Sequence, residues 1–344
     1  MTVPVPGTTT VLLPASLFPA SSDCTAPTLP DGYVSHPFAF KTPSGSMAIC
    51  GGNFNVRSGN YMGFPTYNDE AQKTCLVLKA GRWQRDPSRL PDLPHGRSRN
   101  SGATLVSVAE GTIVIGGPGP LAKSLVLRRG ASSWEEGPIL ENMDCVAVWR
   151  GTIFGIKRNR LRELKTTSWQ LEEEAKWPQL PLPAPSPHRY KPRYYRGRVV
   201  PHRERARAFQ GCAVLNNHLI VAGGEESSDF ACRTRDSCGF YHDTLNSTFS
   251  LDLSLGSAAS WVEGGDLQTA RHSHSLVTVG AAGQEKMYAL GGRLTGLYSG
   301  HGYLDSVEVW REDSRTWQLV EERLPKGQQR MGAVPVHKTA VCPP

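Results

Sequence analysis

Five times along this chain an aliphatic run ends at glycine, and five times a tryptophan follows on the second strand after it. The glycine ends are Ile49-Cys50-Gly51-Gly52, Val114-Ile115-Gly116-Gly117, Ile153-Phe154-Gly155, Val221-Ala222-Gly223-Gly224 and Ala289-Leu290-Gly291-Gly292. The answering tryptophans are Trp83, Trp134, Trp169, Trp261 and Trp317. A repeat of this length, built from short strands, means one supersecondary unit copied along the chain. Each copy reads as an alternating strand, a tight turn, a strand ending in Gly-Gly, and two further strands with Trp opening the last. The clearest copy runs His272 to Val279, Lys286 to Gly292, Leu304 to Arg311 and Arg315 to Val320.

A four-stranded sheet cannot bury both faces alone, so the copies must pack on one another and close radially. The glycine pair lets the backbone turn beside a neighbouring sheet where a Cβ would clash or φ must be positive. The indole is a large apolar plate for the wedge between sheets. With the entry Leu267-Gln268-Thr269-Ala270-Arg271-His272-Ser273-His274, and related entries at Leu93…Arg97 and Leu324…Arg330, the chain resembles the kelch family of β-propellers over about residues 33–337. The resemblance implies an all-β propeller of four-stranded antiparallel blades. It says little about function, because this fold carries scaffolds, adaptors and a few enzymes.

First strands are expected at about 33–40, 99–108, 142–149, 207–215 and 272–280, giving blades at about 33–87, 99–137, 142–172, 207–263 and 271–321. A sixth copy begins at Arg330-Met331-Gly332-Ala333-Val334-Pro335-Val336. The favoured count is six blades, the sixth split or irregular, with Thr8 to Ala15 of an N-terminal leader (1–32) adding a closing strand. A five-blade ring is the alternative. The third blade is degenerate, with only Gly155 at its glycine end.

The 344 residues include 35 glycines and 26 prolines, which suits many short strands and turns. No run of 18 apolar residues suggests a membrane-spanning helix, so no membrane insertion is expected. The leader's apolar patch is broken by Pro4, Pro6, Pro14 and Pro19 and lacks a basic lead, a poor match to a secretory signal. Against that stand eight cysteines. Cys50 and Cys75 fall on neighbouring strands of one blade, Cys232 and Cys238 close a polar loop, and Cys24 and Cys342 lie near termini that a ring brings together. Cys145 and Cys212, each on a first strand, read as buried free thiols. Three pairings favour an oxidising, extracellular setting, with the cytoplasm as the other reading. Asn246-Ser247-Thr248 is a glycosylation sequon.

The strongest functional signal is where the chain inserts residues. Turns between strands one and two, and three and four, are minimal, as at Arg150-Gly151 and Asn216-Asn217. Long inserts follow Gly52, Gly224 and Gly292 and fill 173–206, all on the opposite rim. Long loops in compact domains are often functional. These carry Arg57, Tyr61, Tyr67, Arg233, Arg235, Tyr241, His242, Arg293, Tyr298, His301 and Tyr303, residue types that dominate binding hot spots. The 173–206 insert opens as a proline-rich spacer and continues through Arg193, Tyr194, Tyr195, Arg196 and Arg198. Residues 188–207 hold eight Lys/Arg and one acid, Glu204, a surplus equal to the whole chain's formal +7. Such a stretch suits an acidic protein tail, a sulfated glycan or nucleic acid, or is a solvated linker.

No phosphate-loop, nucleophile-elbow or His-Glu-x-x-His motif is present. His272 and His274 alternate on an inner strand, where hydrogen bonds to neighbouring blades are their ordinary use. Tyr241-His242 and His301…Tyr303 resemble the Tyr/His ligation of copper radical oxidases, which share this propeller. The expectation is therefore a monomeric, non-enzymatic binding or scaffold protein without a cofactor, recognising a macromolecule, foremost a protein, through the long-loop face. The alternatives are a copper- or other metal-dependent propeller enzyme, and an extracellular structural protein binding acidic polymers through its basic loop.

Overall fold

The middle strands of each repeat are the most buried, as in the second strands Met47-Ala48-Ile49-Cys50 and Gly111-Thr112-Ile113-Val114-Ile115, where every residue is buried. Fourth strands such as Arg82–Gln84 are largely exposed. That gradient requires a sheet covered on both faces near its middle strands and wet at its outer edge. A computed structural model of the chain has this arrangement. It describes residues 37–61, 64–97, 103–117, 123–140, 142–166, 169–171, 177–182, 194–195, 198–199, 206–234, 237–280, 283–294, 302–324, 327 and 333.

Among the described residues the fold is an all-β propeller with five four-stranded antiparallel blades. Blade 1 is Phe38–Lys41, Met47–Cys50, Cys75–Lys79 and Arg82–Gln84; blade 2 is Thr104–Val108, Gly111–Ile115, Lys123–Arg128 and Glu135–Ile139. Blade 3 is Cys145–Trp149, Thr152–Lys157, Arg160–Lys165 and Gln170–Leu171. Blade 4 is Gly211–Leu215, His218–Ala222, Thr248–Asp252 and Trp261–Gly264; blade 5 is Ser275–Val279, Lys286–Leu290, Ser306–Arg311 and Thr316–Arg323. The first strands are innermost and neighbour one another in chain order. Five is the count carried above as the alternative. The segments expected to complete a sixth blade, 8–15 and 330–337, lie outside the described residues except Ala333, which packs against Val277, Leu290, Val307 and Leu324 of blade 5.

The core lies between blades. Leu105, Val114 and Leu125 of blade 2 join Ala48, Cys50 and Val77 of blade 1, while Ile113, Ile115 and Val126 face Ile153 and Leu164 of blade 3. Successive side chains point to opposite faces, so each strand supplies two neighbouring cores.

Between blades 4 and 5 the backbone N–H of Gly224 donates to the Arg271 carbonyl at 2.8 Å, and between blades 1 and 2 that of Gly52 donates to Arg97 at 2.9 Å. A Cβ on Gly223 would stand 2.3 Å from the Arg271 oxygen, and one on Gly51 2.3 Å from the Arg97 oxygen. Glycine is required there by space as well as by φ, which is 62° at Gly223 and 63° at Gly51.

The entry arginines also work through their side chains. The Arg207 guanidinium is fully buried and donates to the carbonyls of Gly223 and Ser247 at 2.9 and 3.1 Å and to Ser247 Oγ at 2.6 Å. Arg271 repeats this one blade later, reaching the Gly291 and Ser306 carbonyls at 2.8 and 3.1 Å and Ser306 Oγ at 3.0 Å. It adds an ion pair with buried Glu308 at 2.5 Å. Arg207, counted above with the basic stretch, is thus a core clamp, and burial lowers its pKa to about 10 against the pull of Glu226 and Asp266.

Blade 3 departs from its expected form. Gly155 lies inside the second strand, opposite Val146, where an added Cβ would meet Met143 Cγ at 3.0 Å. The turn proper follows Lys157, with Arg158 at φ 56° in the place the other blades give to glycine.

Trp134, Trp261 and Trp317 donate their indole N–H groups backwards, to Pro91 O at 2.9 Å, Pro178 O at 3.0 Å and Thr248 Oγ1 at 2.9 Å. Among the five repeat tryptophans only Trp317 and Trp169 are fully buried; Trp83, Trp134 and Trp261 are half-buried. Trp83 and Trp261, on the fourth strands of blades 1 and 4, keep part of their surface in solvent, whereas Trp317 on the fourth strand of blade 5 is sealed in.

Candidate functional site: the hairpin rim and the central channel

Three of the long inserts leave the ring at the same place in their blades, the connection from strand two to strand three, and each folds as an antiparallel ladder. The first pairs Asn53–Tyr61 with Phe64–Ala71, setting Arg57 opposite Tyr67 and Tyr61 opposite Phe64. The second pairs Glu225–Thr234 with Ser237–Thr244, setting Cys232 opposite Cys238 and Ser227 opposite His242. Its root is a three-stranded sheet, because Ala206–Ala208 pairs with Glu225–Ser227. The third is short: Arg293–Leu294 with Gly302–Tyr303. There the Arg293 guanidinium sits 5.6 Å from the ring centre of Tyr303, whose side chain is 59% exposed.

In the fourth insert Tyr194–Tyr195 pairs with Arg198–Val199, with Tyr195 opposite Arg198 in the register. Arg193, Arg196, Arg235, Tyr298 and His301 lie outside the described residues, as do Cys24 and Cys342. For Arg57, Tyr61, Tyr67 and His242 the strand and register are fixed, while Arg233 and Tyr241 lie on the strands of the second hairpin at shifts in its register. Asn246 is exposed at the end of the second hairpin's return, just before buried Ser247 and Thr248. The sequence marked these segments as long; it did not mark them as strands. Cys232 and Cys238, directly opposite each other in the ladder, were the available clue.

The channel carries the second cluster. A cavity of about 190 Å³ is lined from all five blades, including Ala39, Leu105, Asp144, Cys145, Gln210, Cys212 and His274. Two disulfides are present among the described residues. Cys50–Cys75 joins directly paired residues of blade 1 with Cα atoms 4.1 Å apart, as expected. Cys145–Cys212, with Cα atoms 5.8 Å apart, joins the innermost strands of blades 3 and 4. The reading of Cys145 and Cys212 as free thiols is therefore corrected: neighbouring innermost strands approach closely at the channel, and these two positions face each other across the seam.

His274 corrects a second expectation. Its ring is buried, and among the described residues neither nitrogen has a hydrogen-bond partner. It wedges blade 5 against blade 4, where a Cβ on Gly211 would lie 2.6 Å from Nε2 and one on Gly223 2.8 Å from Cε1. Desolvation, then the charges of Arg271 and His272, hold its pKa well below the imidazole value. His272 bonds locally, Nδ1 to Ser273 Oγ at 3.0 Å, with Glu225 Oε2 at 3.8 Å. Asp144 accepts the Arg158 N–H at 2.5 Å and the Phe209 N–H, yet burial raises its pKa.

Among the described residues no three His, Cys, Asp or Glu side chains are placed to hold a metal ion, and no helix is long and apolar enough to cross a membrane. Neither a comparison with protein-family models nor one with curated proteins returns a match for this chain.

Proposed function

We propose that this chain is a non-enzymatic binding protein of the kelch type, recognising a macromolecular partner, foremost a protein, through the hairpin rim. The observation that carries the reading is the common origin of three inserts. Each leaves at the strand-two to strand-three connection, while the opposite rim keeps minimal turns such as Ala80-Gly81, Arg150-Gly151 and Asn216-Asn217, with positive φ at both residues. Ladders offer a partner more fixed geometry than irregular loops of the same length. The tyrosines and arginines on these segments supply wide contact area with directional hydrogen bonding. Two disulfides fit an extracellular working environment.

The test keeps the ring and removes the rim. Residues 54–70 and 226–243 are each replaced by a two-residue Asn-Gly turn, and the proteins retained from conditioned medium by the intact chain and by each variant are compared. Partners held by the intact chain and lost from the variants are expected. An unchanged set, with variants as heat-stable as the parent, overturns the reading.

A further inference from the structure

We propose that Cys145–Cys212 is a redox latch: the one of the two described cystines that a small dithiol reaches in the folded protein, and the bond whose opening loosens the seam between blades 3 and 4. The proposal does not depend on what the hairpin rim binds.

Location is the first argument. Both cysteines line the channel cavity; Cys145 is partly exposed and Cys212 is 7% exposed. Cys50 and Cys75 are 0% and 1% exposed, inside the apolar core between blades 1 and 2. Thiol–disulfide exchange requires a thiolate to reach a sulfur, so access separates the two cystines.

The second argument is what else holds that seam. At the 1/2 and 4/5 seams a glycine N–H donates to the carbonyl of the next blade's entry arginine. At the 3/4 seam Arg158–Asn159 stands in place of the glycine pair, the Arg158 N–H bonding to Asp144 at 2.5 Å. Side chains take over: Asn159 Oδ1 accepts the Arg207 N–H at 3.1 Å, and Trp149 Nε1 donates to Asn217 Oδ1 at 3.0 Å. The only described covalent bond between blades therefore lies at the seam where strand two is not followed by the glycine pair. The cystine closes a stretch of 67 residues that contains the long basic insert. Opening it frees the two innermost strands to separate without unfolding either blade.

The exchange is balanced by a dithiol. Its first thiolate attacks one sulfur, the S–S bond breaks and the other cysteine leaves as a thiolate. The dithiol's second thiolate resolves the mixed disulfide, giving a cyclic disulfide and, with two protons, two protein thiols.

The folded chain is treated with dithiothreitol in native buffer, sampled over time, alkylated with iodoacetamide and mapped by peptide mass spectrometry. Amide exchange is followed in the same samples. Cys145 and Cys212 should be alkylated at least about ten-fold sooner than Cys50 and Cys75. Amide protection should fall in 145–149 and 211–215 while 111–115 keeps its own. Simultaneous release of all four cysteines overturns the proposal, as does early release with unchanged protection at the seam. Cys145→Ser with Cys212→Ser should show the loosened seam without reductant, and Cys50→Ser with Cys75→Ser should not. Should the first pair fail to fold, the reduction series on the natural chain decides alone.

Discussion

Arg271 holds two blades with one residue: its carbonyl accepts the Gly224 N–H of blade 4 at 2.8 Å, and its guanidinium donates to the Gly291 carbonyl of blade 5, also at 2.8 Å. Glu308, fully buried, completes the site and also accepts the N–H groups of Gln268 and Thr269 at 2.7 and 3.1 Å. Removing the arginine side chain strands a buried carboxylate. Arg271→Ala should cost about 3–5 kcal/mol in denaturant unfolding. Arg271→Lys should recover little, because an ammonium cannot serve two carbonyls, a hydroxyl and a carboxylate in the fork geometry. A loss below about 1 kcal/mol for Arg271→Ala would show that the clamp is unimportant to stability.

The glycine ends allow space to be separated from backbone strain. Gly130 has φ 80° with nothing within 4 Å of an added Cβ, whereas Gly223 has φ 62° and meets the Arg271 oxygen at 2.3 Å. Gly130→Ala should cost about 1–2 kcal/mol, the left-handed penalty alone. Gly223→Ala should cost clearly more, because the clash is with backbone and must part blades 4 and 5. Equal losses in matched thermal melts would contradict the close-approach argument.

Trp317 is 1% exposed and bonds Thr248 across the seam. Trp317→Phe should cost about 1–3 kcal/mol, leaving a buried hydroxyl without its donor, and Trp317→Ala roughly 3–5 kcal/mol. The same truncation at half-buried Trp83 should cost less, since part of its surface is already in water. Chemical denaturation of the three variants checks the order.

His274 gives stability a pH dependence of defined sign. Its folded pKa lies well below the usual 6.5, so the unfolded chain binds the extra proton. The folded state loses stability as pH falls below about 6.5, by roughly 1.4 kcal/mol per pH unit for one group. Asp144 acts oppositely: its pKa is raised above 3.8, so it favours folding as pH falls toward that value. Unfolding midpoints across a pH series should drop on acidification in the natural chain, and His274→Asn should flatten the drop between pH 6.5 and 5. An identical slope in the variant would assign the effect elsewhere.

Much of the ring was legible because its signals are local. Alternation placed the first strands, and Gly223-Gly224 or Gly291-Gly292 marked turns that need positive φ. The Arg207 clamp was hidden in a charge count, and Arg271 stood in the repeat's entry motif without its role, because a buried cation and a solvated one look alike until the carbonyls around them are located. Gly155 misled for the same reason, as one glycine serves a turn or a close side-chain contact equally well. The Cys145–Cys212 bond depended on register across a seam between separate sheets, which neither cysteine's neighbours encode. The hairpins escaped because their pairing is local but their composition is polar.

The three-stranded root of the second hairpin has a mechanical consequence. Ala206–Ala208 pairs with Glu225–Ser227, and its middle residue is Arg207, whose guanidinium grips Gly223 immediately before the hairpin departs. The protruding arm and the clamp at its base thus share one short strand. A load applied to the arm, by a docked molecule or by tension, is delivered to the peptide of Arg207 and through it to the middle of blade 4. The arm is a lever whose fulcrum lies inside the ring.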